Sequence, residues 1–324
     1  MALTAGLVSF SVAVSAAPKP TISQVTAQVA KLTAAENKAI QQYDQVKVQL
    51  ASANGRLKLV NAEVARDRKQ FGIMRTDVAQ VAATAYEDGN LTSMAALITS
   101  ANPQTVLSRA AMLVQLNAAR SQEMHQLIAA ARQLSGAQES ARRTQQTIAA
   151  LNNQAKAKAA TIGKALNQRK SLLATLTAQQ QATVLNAASP GGTGGSVPAS
   201  NPVPANTNAG RAVAFAYAQL GCPYVFGGTG PCSAGYDCSG LVQAAWAAAG
   251  VAIPRDTYSQ WAALPHVPLS QIQPGDLIYF AGVSHVGMYV GGGYIIDAPI
   301  PGQNVQKVAL SGWYAANEVG AARP

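Results

Sequence analysis

Residues 235–246 read Gly235-Tyr236-Asp237-Cys238-Ser239-Gly240-Leu241-Val242-Gln243-Ala244-Ala245-Trp246, and further on the chain reads Ser284-His285-Val286-Gly287-Met288-Tyr289. The first stretch places a cysteine just ahead of an apolar helical run. The second places a histidine at the head of a strand-like run. A thiol and an imidazole on different elements are the minimum for a nucleophilic pair, because the thiolate attacks and the imidazole activates it. A thiol at a helix N-terminus is further favoured as thiolate by the helix dipole. Asp297 lies 12 residues beyond His285, across Gly291-Gly292-Gly293. Two antiparallel strands joined by that turn would set its carboxylate beside the imidazole, where it would fix the tautomer. The plainer reading treats Cys238 as a small buried hydrophobe and His285 as a structural residue. With only three Cys and three His in the chain, few rival pairings exist. His266 is the competing base, but Pro265 and Pro268 bound its loop and nothing there orients it. His125 falls in a helical stretch and is expected to face solvent.

Around these residues the chain from about 210 to 324 alternates short helices and strands. Helices are expected at 212–220 and 238–249. Strands are expected at 277–280, 285–290 and 294–297, with the three glycines as a hairpin turn. The fold class is α+β, with helices on an antiparallel sheet. Cys222 and Cys232 flank Pro223-Tyr224-Val225-Phe226-Gly227-Gly228-Thr229-Gly230-Pro231, a Gly/Pro-rich stretch that can fold back and bring the two sulfurs together. Pairing them leaves Cys238 odd, as a nucleophile should be. Two independent buried thiols are the alternative.

N-terminal to this domain, residues 185–209 are rich in Gly, Pro, Asn and Ala and lack charge and apolar period, so they read as a flexible linker. Before the linker comes a different pattern. Positions 25, 29, 32, 36, 39, 43 and onward to 85, in alternating steps of four and three, are apolar except for Glu36 and Asp67 among the charged residues. A period of about 3.5 residues sustained this long predicts a coiled coil. The seam is rich in Ala, so its packing should be shallow. Residues 113–182 are again helical in composition, with a looser period interrupted by Gly136 and Gly163. A break at Glu87-Asp88-Gly89-Asn90, a short apolar helix at 94–98, and Asn102-Pro103 as cap and first position of the return helix complete a long helical hairpin over 20–184.

Charge separates the two halves. Residues 1–208 carry 20 Lys/Arg against 9 Asp/Glu, whereas residues 209–324 carry 4 against 5. Such a basic segment suits anionic partners such as lipid headgroups or wall polymers; its simpler reading is a solvated helix face. Aromatic–basic interleaving and zinc-ligand spacing are both missing, which argues against nucleic acid. Residues 1–17 hold no charged side chain, and Leu7, Val8, Phe10, Val12 and Val14 form a short apolar core before Val14-Ser15-Ala16. This stretch is too short to span a bilayer and reads as a secretory signal cleaved after Ala16, although it lacks the usual basic n-region. An exported chain permits disulfides.

Five motifs, in order, resemble the NlpC/P60 family of papain-like cysteine peptidases: Tyr224-Val225-Phe226-Gly227-Gly228, Asp237-Cys238-Ser239-Gly240-Leu241-Val242, Ile253-Pro254-Arg255, Gln273-Pro274-Gly275-Asp276-Leu277 and His285-Val286-Gly287-Met288-Tyr289. The resemblance covers residues 211–320. It implies that Cys238 is the nucleophile, His285 the base and Asp297 the third polar residue, a position where the family often has His. It also implies that Tyr224 lies near the oxyanion site and that Asp237, Ser239 and Ser284 line the substrate pocket, with Arg255 assisting. Asp276 is expected to fix a turn. The hairpin, linker and peptidase domain together resemble secreted peptidoglycan hydrolases of the RipA/PcsB type.

That resemblance implies hydrolysis of a peptidoglycan stem peptide, between γ-D-glutamate and a diamino acid, without metal or organic cofactor. It also implies a membrane divisome partner of the FtsE–FtsX kind for the hairpin. The hairpin is expected to occlude the Cys238 cleft or hold the domain off the wall until that partner engages. Two alternatives stand beside this reading. One is an amidase or acyltransferase using the same Cys and His; the other is a non-catalytic adaptor that binds wall peptide.

Overall fold

The structure, a computed structural model, describes residues 20–87, 102–107, 121–190 and 206–324. The expected signal segment, the short helix at 94–98 and most of the expected linker lie outside these residues. The described residues form two compact units, one from those within 39–161 and one from 20–38 with 162–190 and 206–324.

Helix α1 (Ile22–Glu87) is one uninterrupted helix, and α2 (Ser121–Ala174) is its return partner. Every position of the heptad series from Val25 to Val78 is buried or half-buried. A stripe this regular can be buried only against another helix running alongside. The two helices are antiparallel. In the 39–161 unit Gln133 Nε2 donates to Asp67 Oδ1 at 2.9 Å and Lys158 Nζ to Gln42 Oε1 at 2.7 Å. In the other unit Arg169 Nη1 lies 3.1 Å from Glu36 Oε2. Both charged residues of the seam are therefore met by a polar side chain of the return helix, as buried charge requires. Gly136 and Gly163 lie within α2 without breaking it.

In the 39–161 unit, Phe71, Val78, Leu127, Ala131 and Leu134 make a core that Val106 joins from the helical segment 103–107. Asn102 caps that segment, its Oδ1 accepting from the Gln104 N–H at 2.9 Å.

The helical stretch expected to continue to 182 is interrupted at 175–177. Helix α3 (Ala178–Ala188) starts anew from a capping box formed by Thr177 and Gln180. Residues 185–188, expected to begin the linker, are helical. Val184 and Ala188 pack on Val25 and Val29 with Leu172, Leu173 and Leu176 around them. That apolar contact explains why the helix extends past the point where composition alone would end it.

The rest of this unit is the α+β domain. Its helices are α4 (Asn208–Ala218), α5 (Cys238–Ala248), α6 (Thr257–Ala263) and α7 (Trp313–Asn317). Its strands are β1 (His266–Val267), β2 (Leu277–Phe280), β3 (His285–Gly291), β4 (Tyr294–Asp297), β5 (Gln306–Ala309) and β6 (Glu318–Ala322). They form one sheet in the order β1-β6-β2-β3-β4-β5, each neighbouring pair antiparallel. Positive φ at Gly291, Gly292 and Gly293 (92°, 64° and 80°) turns β3 into β4, a left-handed path that glycine follows without Cβ strain. Ile278, Phe280, Ile295, Val308 and Tyr314 fill one side of the sheet. Leu277 and Tyr279, pointing the opposite way along β2, are fully buried on the other side. Helix α5 packs on β3 and β4, and α4 packs on α5.

Candidate active site

Cys238 is the first residue of α5 and is 3% exposed. Asp237, immediately before it, is the N-cap: its Oδ1 accepts from the Gly240 N–H at 2.7 Å, and its carbonyl takes the first helical bond from Leu241 at 2.9 Å. The cap fixes where the helix begins, and so puts the thiol within the positive end of the helix dipole. Cys238 takes no part in a disulfide. Cys222 and Cys232 are joined, with sulfurs 1.98 Å apart.

His285 opens β3 and Asp297 closes β4, and both are fully buried. Met288 pairs with Ile296 in the register, which sets Asp297 opposite Gly287 and one side-chain step from His285 on the same face. The imidazole Nε2 lies 2.8 Å from Asp297 Oδ2. In the neutral imidazole with Nε2 donating to this carboxylate, Nδ1 presents a lone pair. Among the described residues Nδ1 has no hydrogen-bond partner. Gly287 leaves room for this reach. A Cβ there would stand 2.8 Å from Ile295 Cδ1 and 3.4 Å from Asp297 Cβ.

Tyr314 was not legible in the sequence as a site residue. Its hydroxyl donates to Asp297 Oδ2 at 2.8 Å, on the oxygen that already receives His285. Trp313, its neighbour on α7, meets the His285 ring edge-on at 5.9 Å between centroids, and Phe280 flanks the ring at 6.0 Å. These aromatic rings hold the imidazole in place. The turn before His285 is strained. Ala281 and Val283 have φ of 49° and 66°, a conformation that a β-branched residue rarely adopts. Thr257 Oγ1 donates to Val283 O at 2.5 Å, Ala281 N–H to Asn317 O at 2.8 Å, and Ser284 Oγ to Ala281 O at 2.8 Å. Ser284, expected at the pocket wall, thus uses its hydroxyl to close this turn.

Asp237, Ser239 and Arg255, expected to line the pocket, bond to one another. Arg255 Nη1 donates to Asp237 Oδ1 at 3.1 Å and to Ser239 Oγ at 2.9 Å, and its Nη2 to Asp237 Oδ2 at 2.6 Å. A planar guanidinium matched to a carboxylate in this way neutralises a fully buried Asp237. Tyr224 is buried, its N–H donating to Gln303 O at 2.9 Å, and it bridges Tyr236 in parallel. Asp276 closes the turn before β2, as its sequence setting implied: its Oδ2 accepts from Gln273 N–H at 2.7 Å, and Arg323 Nε donates to its Oδ1 at 2.7 Å. His266 stacks on Trp261 at 3.7 Å, and its Nε2 lies 2.8 Å from Trp261 O, on the outer strand β1.

Tyr279, on β2, is close enough to Cys238 for the two to interact electrostatically. It pairs with Val286, next to His285, and its hydroxyl is buried without a partner among the described residues. Burial pushes its pKa up strongly, and the Cys238 charge adds to the rise. Adjacent residues of α6 span the same gap: Gln260 Nε2 donates to Ser239 O at 3.2 Å, and Trp261 meets Tyr279 edge-on at 5.1 Å.

Residues 221–323 match the NlpC/P60 family, so the C-terminal domain is an NlpC/P60 domain. The chain is similar to a probable endopeptidase p60 of Listeria monocytogenes, 40% identical over 104 residues that make up 31% of this chain and 21% of that protein. A γ-DL-glutamyl hydrolase of Bacillus subtilis is 44% identical over 98 residues, 28% of this chain and 22% of that one. A γ-D-glutamyl-L-lysine dipeptidyl-peptidase of the same species is 39% identical over 98 residues, 28% of this chain and 32% of that one. The chain thus spans about a fifth to a third of the length of these curated relatives.

Proposed function

We propose that this protein is an exported cysteine peptidase that cuts peptidoglycan stem peptides, at the bond between γ-D-glutamate and a diamino acid. The observation that carries the reading is the buried His285–Asp297 pair, 2.8 Å apart, with His285 Nδ1 free of hydrogen-bond partners among the described residues. The relatives named for γ-glutamyl bonds support the choice of substrate. In this mechanism His285 Nδ1 takes the proton of Cys238, and the thiolate adds to the scissile carbonyl. The Cys238 N–H, at the start of α5, faces the developing oxyanion. His285 returns the proton to the leaving amine, giving a thioester, and water hydrolyses it with His285 again as base. Asp297 and Tyr314 keep the ring oriented throughout.

The N-terminal segment exports the chain, and the helical pair localises or restrains the domain during wall remodelling, with a membrane divisome complex as its partner. One contact supports restraint. Arg169 Nη2 donates at 3.2 Å to the carbonyl of Pro301, in the loop that follows Asp297.

Digestion of purified wall by the full chain, followed by mass spectrometry of the muropeptides, tests the reading. New amines at a diamino acid and new γ-glutamyl carboxylates are expected, and Cys238→Ala should produce neither. Products cut at the sugar–peptide amide, or acyl transfer to an added amine in place of hydrolysis, would replace it with the amidase or acyltransferase alternative.

A further inference from the structure

We infer that the disulfide-closed loop from Cys222 to Cys232 positions the nucleophile, so that the Cys222–Cys232 bond acts on turnover as well as on stability. This rests on the reading of Cys238 as the nucleophile. One end of the loop is anchored to the sheet side of the domain. Cys222 O accepts from Val305 N–H at 2.7 Å, Gly221 N–H donates to Val305 O at 2.9 Å, and Pro223 bridges Asn304. The other end, Cys232, lies six residues before Cys238. The disulfide therefore ties the segment that delivers the thiol to the β5 side of the sheet.

Between these ends the loop clasps residues 235–240. Tyr236 N–H donates to Pro223 O at 3.1 Å and Val225 N–H to Tyr236 O at 2.9 Å. Gly230 N–H donates to Gly235 O at 2.9 Å, and Asp237 N–H, one residue from the thiol, to Gly228 O at 3.0 Å. The fit leaves no slack. A Cβ on Gly240 would stand 2.0 Å from Gly228 O, and one on Gly228 would stand 2.6 Å from Gly235 O. Beneath the loop, Tyr236 donates its hydroxyl to Gln219 Oε1 at 3.1 Å.

Composition explains why the covalent tie matters. Gly221, Gly227, Gly228, Gly230 and Gly235 all fall in this short stretch. Glycine loses more backbone freedom on ordering than any other residue, so such a loop is held poorly by hydrogen bonds alone. Closing it covalently narrows the states open to it. Released, the loop would let Asp237 N–H leave Gly228 O, and the Cys238 backbone and thiol would lose their fixed bearing toward His285 and the substrate carbonyl. A misplacement of about 1 Å at a reacting group costs on the order of 10²-fold in rate.

The test uses the full chain and the double substitution Cys222→Ser/Cys232→Ser, assayed well below its melting temperature. Two readouts are taken: kcat and KM on muropeptides, and the pH profile of Cys238 alkylation by iodoacetamide. In both proteins Cys238 is the one reactive thiol, so the alkylation signal is clean. The expected result is a fall in kcat of about tenfold or more with KM within about twofold, and an alkylation midpoint displaced from the wild-type value. The pH response of the thiol also depends on His285 and Asp297 from β3 and β4, on the Asp237–Arg255 pair at the cap, and on Tyr279 from β2. None of these is altered by the substitution. A lowered melting temperature with wild-type kcat and alkylation profile would overturn the inference and leave the disulfide as a staple. If the double variant does not fold, Tyr236→Phe keeps the disulfide and removes only the bond to Gln219. The same two shifts are then expected at smaller amplitude, and wild-type values for both overturn it. Absence of stem-peptide hydrolysis by the wild type would remove the peptidase reading, while the alkylation comparison would still decide whether the loop positions Cys238.

Discussion

The Nε2 atom of His285 and the Oδ2 atom of Asp297 are 2.8 Å apart, and water reaches neither residue. Their closeness is set by the β3–β4 register, which seats Asp297 opposite a residue with no side chain, Gly287. A buried carboxylate needs donors, and this one has His285 and Tyr314.

Asp297→Ala should lower kcat by about 10² to 10⁴-fold, the scale on which an orienting aspartate acts in such a site, and by less than His285→Ala. It also strands the His285 Nε2 and Tyr314 donors, at a cost of about 1–3 kcal/mol in stability. Tyr314→Phe removes one donor and should give a smaller loss of rate. Unchanged kcat in Asp297→Ala would show that the pair is structural.

Cys238→Ala should abolish hydrolysis and leave the circular dichroism spectrum and melting temperature close to wild type. The neighbouring hydroxyl cannot stand in, because Ser239 is bonded to Arg255 and Asp237. Residual turnover near the wild-type rate would end the nucleophile assignment.

Arg255→Met should destabilise the protein by about 3–5 kcal/mol, because it leaves the Asp237 carboxylate buried and unpaired. Arg255→Lys should recover only part of this loss, since one ammonium cannot make the forked contact with both Asp237 oxygens. Urea unfolding at neutral pH measures both. Equal stability of Arg255→Met and wild type would contradict the assigned role of the guanidinium.

Glu36 should make stability depend on pH in an unusual direction. Burial raises its pKa above the ordinary carboxylate value, against the opposing pull of Arg169 and Lys170. Between the ordinary value and the raised one, the folded state binds more protons than the unfolded state, so stability falls as pH rises through that window. Glu36→Gln cannot titrate and should flatten this part of the profile. Urea melts of both proteins at pH 5, 6 and 7 test it, and parallel profiles would count against a raised Glu36.

Much of this was legible because it is local or periodic. A stripe repeating every 3.5 residues predicts a helix over 23–86, and α1 spans Ile22–Glu87. Three glycines predict the β3–β4 turn, and with it the approach of Asp297 to His285. The interruption at 175–177 also has a local signal, the Thr177-Ala178-Gln179-Gln180 capping box, whose polar residues leave no mark on an apolar period.

Other features had no such signal. Tyr314 reaches Asp297 from 17 residues away, Arg255 reaches Asp237 from 18, and Arg323 reaches Asp276 from 47. No spacing rule links these pairs, because each depends on where separate elements come to rest. The strand pairs β1–β6 and β2–β6 likewise join segments distant in sequence, and β1 is too short to show alternation.

The sequence by itself determined the long helix, the hairpin turn, the odd cysteine and the order of the five motifs. These follow from side-chain period, backbone preference and residue type, all of which act over a few residues. Only the tertiary structure decided which polar groups serve the His285–Asp297 pair and which serve each other. It showed Asp237, Ser239 and Arg255 satisfying one another and Tyr314 joining Asp297. The reason is that a buried polar group must find a partner wherever packing leaves one within about 3 Å, and packing is a property of the whole domain.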